Sequence, residues 1–185
     1  MNDQVDTIIL HQELAYADSL PMRVLPLGAP PSTHMLTSWT DRNLRLLQAC
    51  AALEEHAQAE SGDDAAPWSA ELQRIDLKVN LLLDMVGVLV ANIQSRPPAR
   101  PMRFNAQGLL WEISGDAVAP EGTLVQIEIY LRDSIIHPLV LTGVMQGTGI
   151  ETLASARIDE LPEPVADHIK KLVFRRHRRQ IAVAR

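Results

Sequence analysis

Leu72, Ile75, Val79, Leu82, Val86, Leu89 and Ile93 follow one another at alternating intervals of three and four residues. That spacing is a heptad repeat, with a at 72, 79, 86 and 93 and d at 75, 82 and 89. It predicts a helix over residues 72–93, roughly 33 Å long, with an apolar seam along its length. Leu83 and Val90 at e and Met85 at g widen the seam. A core helix packed against its own domain is the plainer alternative, yet it rarely needs such strict alternation. Valine at a with leucine at d favours a parallel dimer, whereas apolar e and g positions favour more strands. These seven residues are the candidate self-association face, and a homotetramer is the assembly expected.

Upstream, the Leu20–Leu27 stretch suggests a short strand around Met22–Leu25, placed at a sheet edge by Pro21 and Pro26. A loop follows at Gly28–Ser32. Ser38-Trp-Thr-Asp41 reads as a capping signal and starts a helix near Ser38 or Thr40. Leu44, Leu47 and Ala51 lie on one face of it, with Leu46, Cys50 and Leu53 on the adjacent one. That helix fades by Ser61-Gly62. A linker to Trp68 then joins it to the heptad helix as an αα-hairpin. Pro97, Pro98 and Pro101 end the hairpin.

From Met102 the period changes from helical to alternating. Phe104, Leu109, Trp111 and Ile113 suggest strand structure around a Gly108 turn, and Ala119–Gly122 is a second turn. Val125, Ile127, Ile129 and Leu131 alternate with Gln126, Glu128, Tyr130 and Arg132, the pattern of a strand with one wet face. Leu139–Met145 and Ile150–Ile158 are further strands, separated by a turn at 147–149. Strands at this spacing predict an antiparallel sheet or small barrel. Pro162 and Pro164 open a final helix, Val165–Arg179, with Val165, Ile169, Leu172 and Val173 on its apolar face. The fold class is therefore α+β. Residues 1–37 form an N-terminal segment able to add a strand, 38–95 the helical hairpin, and 96–185 the strand-rich part with its basic helix.

With 46% apolar residues, the 185-residue chain can build a real core. Its single cysteine, Cys50, cannot form an internal disulfide, which fits a reducing, cytoplasmic setting. The acidic start lacks the features of a signal peptide. Arg74, Asp76, Lys78 and Asp84 interrupt the heptad region, so it is no membrane span. Residues 170–185 hold seven basic residues and no acid, against 10 basic and 23 acidic residues before them. The basic tail reads as a solvated face that complements the helix dipole, with docking of a partner protein as the next reading. Nucleic-acid binding is not expected, since aromatic interleaving stops at Phe174. The six histidines have no metal-ligand spacing, and Gly143–Gly149 lacks the Lys-Ser/Thr of a phosphate loop. No catalytic constellation, metal or cofactor is read from the chain.

Three stretches resemble the PilZ domain, the small β-barrel of bacterial cyclic di-GMP signalling. Asn105-Ala-Gln-Gly108-Leu109 is similar to the second half of its D/N-x-S-x-x-G motif. Pro120-Glu-Gly122 with the strand to Leu131 is similar to the P-x-G segment. Ile158–Leu161 with Phe174–Arg179 is similar to the C-terminal segment. A helical hairpin before the barrel resembles the atypical, tetrameric branch. The resemblance implies a ligand site built from an R-x-x-x-R loop, here Arg96 and Arg100, together with the D/N-x-S-x-x-G strand. Guanidinium groups would bind phosphates and stack on guanines. Aligned on Gly108, Arg103 takes the D/N place and Asn105 the Ser place, so a cation replaces an acceptor and an amide a hydroxyl. Arg96, Arg100, Arg103, Asn105 and Gly108 are thus the candidate ligand residues of a degenerate motif.

The resulting expectation is a non-enzymatic, PilZ-like adaptor in cyclic di-GMP signalling, acting as a coiled-coil homo-oligomer on an unknown signalling or motility protein. Motility, surface attachment and virulence are the outputs the resemblance implies. Direct cyclic di-GMP binding is expected to be weak or lost. The alternatives are a genuine receptor using the arginines near 96–103 and a purely structural scaffold.

Overall fold

The computed structural model describes residues 9–59, 74, 75, 77–79, 81, 82, 85, 86, 96–113, 115, 118–148 and 150–183. A short hairpin comes first, β1 (Ile9–Leu10) and β2 (Glu13–Leu14). Then come β3 (Tyr16–Pro26) and helix α1 (Thr33–Ala59). β4 (Ala99–Phe104), β5 (Gly108–Glu112), β6 (Leu124–Ile129), β7 (Leu139–Gln146) and β8 (Leu153–Ile158) follow. Helix α2 (Glu163–Val183) is the last element. Six strands close into an antiparallel barrel in the order β3-β4-β5-β8-β7-β6.

Alternation of side chains along each strand fills the barrel. Val125, Ile127 and Ile129 of β6 are wholly buried, as are Leu139 of β7, Phe104 of β4 and Leu109 of β5. Val165, Ile169, Leu172 and Val173 of α2 and Leu46, Leu47 and Cys50 of α1 join the same apolar cluster. α1 packs on β7 and on α2, while α2 also reaches β3.

Several local expectations are corrected by the packing. β3 is an 11-residue strand and lies at no edge. It pairs with β4 through Tyr16–Pro21 and with β6 through Met22–Pro26. Pro21 sits where the strand changes partner, so its missing N–H breaks no continuous ladder, and its carbonyl accepts the Tyr130 N–H at 3.0 Å. α1 starts at Thr33, well before Ser38, because the Ser32 hydroxyl accepts the Met35 N–H at 3.3 Å. The apparent cap at Ser38 lies inside the helix, where the Thr40 hydroxyl bonds back to the Leu36 carbonyl. β8 begins at Leu153; residues 150–152 instead make a turn closed by the Leu153 N–H on the Ile150 carbonyl. The outer face of β6 is not wet. Arg23 lies across Glu128 at 2.6 Å, Arg96 stacks on Tyr130, and both Glu128 and Tyr130 are buried.

Gly122 has a φ of 79° in the turn before β6, where the Thr123 N–H bonds to the Pro120 carbonyl. A left-handed residue at that place is what a type II turn demands.

Candidate functional site

Neighbouring residues of a strand point to opposite faces. On β4 this sends Arg100, with Met102 and Phe104, toward the interior, and Arg103 to the outside. Arg100 reaches a cavity of ≈ 110 Å³ lined by Met22, Trp111 and Met145 among others. Pockets for drug-sized ligands run to about 300–1,000 Å³, so a dinucleotide does not fit there. Arg103 instead borders an open depression shared with Asp18 and Glu112. Two carboxylates beside it oppose a phosphate. Arg96 serves a third place. Its Nη1 donates to Asp133 Oδ1 at 3.0 Å, and its Nη2 donates to the carbonyls of Asp133 and Ile135 at 2.8 and 3.2 Å. The guanidinium lies 5.6 Å from the Tyr130 ring centre, so it clamps the loop after β6. The three candidate arginines thus face three different surroundings.

Asn105 and Gly108 are brought together, but by local structure. Asn105 Oδ1 accepts the N–H groups of Gln107 at 2.9 Å and Gly108 at 3.0 Å. Its Nδ2 donates to the Leu10 carbonyl at 2.6 Å, tying the β1–β2 hairpin to the barrel. The side chain is buried and already bonded at both ends, leaving little for a guanine edge. Gly108 does not supply the turn. It opens β5, and a Cβ there would lie 2.5 Å from His11 Nε2 and 2.9 Å from the Ala156 carbonyl. Glycine is required by close approach. His11 itself stands in a two-residue hairpin turn with Gln12, both with left-handed φ of 50° and 65°.

The principal charge cluster was not among the sequence candidates. Glu54 of α1 is only 1% exposed. Its Oε1 lies 3.2 Å from Arg176 Nε and 3.7 Å from Arg132 Nη2, and its Oε2 lies 3.3 Å from Arg175 Nε. Arg179 Nη2 donates to the Glu54 carbonyl at 3.0 Å. The basic end of α2 is therefore only in part a solvated face: Lys170, Lys171 and Arg178 are exposed, but Arg175, Arg176 and Arg179 turn inward onto α1. Arg176 also donates to the Tyr16 hydroxyl at 2.6 Å and stacks on its ring, and that hydroxyl in turn donates to Asp18. Burial first, then the bond to Asp18, pushes the Tyr16 phenol up to about 12. Burial likewise pushes the Cys50 thiol up, against the nearby arginines. The signal was present in the 4-3-4 spacing of Asn43, Leu47, Cys50 and Glu54, which puts all four on the buried face of one helix.

The described residues of the heptad segment are helical. Ile75, Val79, Leu82 and Val86 are 54%, 46%, 61% and 46% exposed in the single chain. Leu77, Leu81 and Met85 are exposed too, at heptad positions f, c and g, so apolar surface extends beyond the a/d seam. Leu72, Leu83, Leu89, Val90, Ile93 and the hairpin linker lie outside the described residues. Among the described residues no helix is long and apolar enough to cross a membrane, and no His/Cys/Asp/Glu group could hold a metal ion.

A search of curated proteins finds no match. Among solved structures, the fold matches the crystal structure of a pathogenic protein from Xanthomonas campestris, with a TM-score of 0.73 and 23% identity over 94% of this chain and 93% of that one. That protein is described as a tetrameric PilZ domain self-assembled via an unusual helical bundle. The sequence profile described as "Atypical PilZ domain, cyclic di-GMP receptor" matches residues 47–185. With its closed six-stranded barrel and this match over most of its length, the chain belongs to the atypical PilZ domain family.

Proposed function

We propose that this protein is a non-enzymatic adaptor of cyclic di-GMP signalling, assembled through its heptad helix into a homotetramer in the bacterial cytoplasm. The observation that carries the reading is the row of exposed Ile75, Val79, Leu82 and Val86 on one helix. Monomeric proteins seldom leave so large a contiguous apolar face in water. Leu77 and Leu81 on other faces favour a bundle of more than two helices. The X. campestris neighbour, described as tetrameric through a helical bundle, supports the same assembly. Four identical barrels then strengthen weak partner contacts through avidity. Outputs in motility, surface attachment or virulence follow from the family reading.

In this reading direct cyclic di-GMP binding is weak or lost. The separate surroundings of Arg96, Arg100 and Arg103 support that, as do the bonds that occupy Asn105. The receptor reading draws on the family's description and on Arg100, a buried cation beside Trp111. Titration calorimetry of the full chain with cyclic di-GMP separates the two. The adaptor gives no saturable heat. Saturable binding that disappears in Arg100→Ala establishes the receptor and overturns this half of the proposal.

A further inference from the structure

The first ten residues of α1, Thr33–Arg42, include none that is buried, although they carry Met35, Leu36 and Trp39. Thr33, Thr37, Ser38 and Thr40 are poor helix formers. A helix usually owes its stability to the packing of an apolar face, and here that face lies open. It forms one wall of a groove of ≈ 350 Å³, between α1, the outer side of β7 and the loop into α2. Leu36, Trp39, Val140, Leu161, Pro31 and Pro162 give the groove an apolar lining, and its volume falls within the range of ligand sites.

The chemistry of an occupant follows from what the walls offer. β7 pairs with β6 through Leu139–Val144 but with β8 only through Gly143–Gln146, so beside the groove just residues 139–142 could offer an edge to an added strand. The prolines bring no N–H donor. Asn43 is spent on both backbone groups of Val140, at 2.7 and 3.0 Å. With so short an edge and the Val140 backbone already bonded, recognition rests mainly on side chains entering the apolar cavity. The rim is acidic. Asp159 pairs with Arg157 at 3.1 Å. Among the described residues, no ion pair engages Glu160, on the rim, or Glu163, just beyond Pro162.

We infer that this groove docks an extended peptide segment of a partner protein, one carrying a bulky apolar side chain beside a lysine or arginine. The apolar side chain enters between Trp39 and Leu161, and the cation faces Glu160 and Glu163. The groove deepens the adaptor reading by naming its partner surface. It engages the first turns of α1, residues other than those of the heptad face proposed for self-association.

The test pans the full chain against short random peptides displayed on phage, then measures a selected peptide by fluorescence anisotropy. The expected peptides combine an apolar residue with a basic one. Trp39→Ala weakens binding at least about thirtyfold, as removal of an aromatic anchor does. Glu160→Lys weakens it about tenfold, and changing the peptide's basic residue to Glu restores binding to that variant. Failure to select peptides, or affinities indifferent to both substitutions, overturns the proposal. A changed molar mass in Trp39→Ala also overturns it, because the groove would then be a face between copies. Light scattering of the wild type tests assembly separately. Peptide binding with the stated variant pattern supports the groove even if the chain proves to be a single subunit, a result that would refute only the oligomer.

Discussion

Replacing Glu54 by Gln keeps the shape of the side chain and removes one charge from the centre of three guanidinium groups. Arg176, Arg175 and Arg132 are 11%, 26% and 29% exposed. At distances of 3.2–3.7 Å each pair gains about 5 kcal/mol gross at an effective dielectric near 20. Much of that gain is offset by desolvation of the ions. The substitution does not recover the offset, because the arginines stay where they are and now repel one another. Removing one partner from a buried ion cluster costs about 3–5 kcal/mol. A chain of this size loses roughly 2–4 °C in Tm for each kcal/mol, so Glu54→Gln should melt about 6–20 °C lower. Urea unfolding followed by circular dichroism measures the loss directly, with wild type and variant at equal protomer concentration, because assembly adds to apparent stability. Arg175→Gln should cost much less, since Glu54 keeps Arg176 and Arg132. A loss below about 1 kcal/mol for Glu54→Gln would place the cluster among solvent-screened surface pairs and refute its role in joining α1 to α2.

Two further outcomes follow from the packing. Gly108→Ala puts a methyl group against His11 and the Ala156 carbonyl; it should destabilise by about 1–3 kcal/mol in urea, and a neutral result would mean that the β1–β2 hairpin does not press on β5. The Tyr16 phenol, at about 12, titrates above the 10.0 of an exposed tyrosine. The stability it contributes is whole below pH 10 and is lost as the pH rises toward 12. Melting temperatures across that window should fall more steeply for wild type than for Tyr16→Phe, and parallel curves would contradict the placement of the hydroxyl.

The barrel could be read where local and tertiary demands agree. The clean alternation of β6, the turn at Pro120–Gly122 and the short strands after it are all dictated by neighbours in sequence. β3 could not be read, because its proline changes meaning once the strand divides between two partners, a fact that only barrel closure creates. Ser32 was obscured by a second, equally good capping pattern at Ser38. The candidate ligand arginines are spread over different surroundings for a related reason. An R-x-x-x-R spacing says nothing of which strand face each arginine takes, and residues 100 and 103 necessarily take opposite faces within β4. Helical spacing places Glu54 on the buried face of α1 but does not name its partners. Its partners lie 78 and more residues away in sequence, and charge composition does not reveal which arginines fold inward. The heptad seam needed no tertiary information, since its period alone marks one face of a helix.

Self-association through that face is tested most directly by light scattering of the full chain beside a Leu82→Lys, Val86→Lys variant. Both positions are exposed in the single chain, so the variant keeps its barrel, as its circular dichroism should show. The wild type should have four times the 20.5 kDa protomer mass and the variant a smaller mass. A wild type that stays a single folded subunit at high concentration, or a variant of unchanged mass, would contradict assembly through the heptad helix.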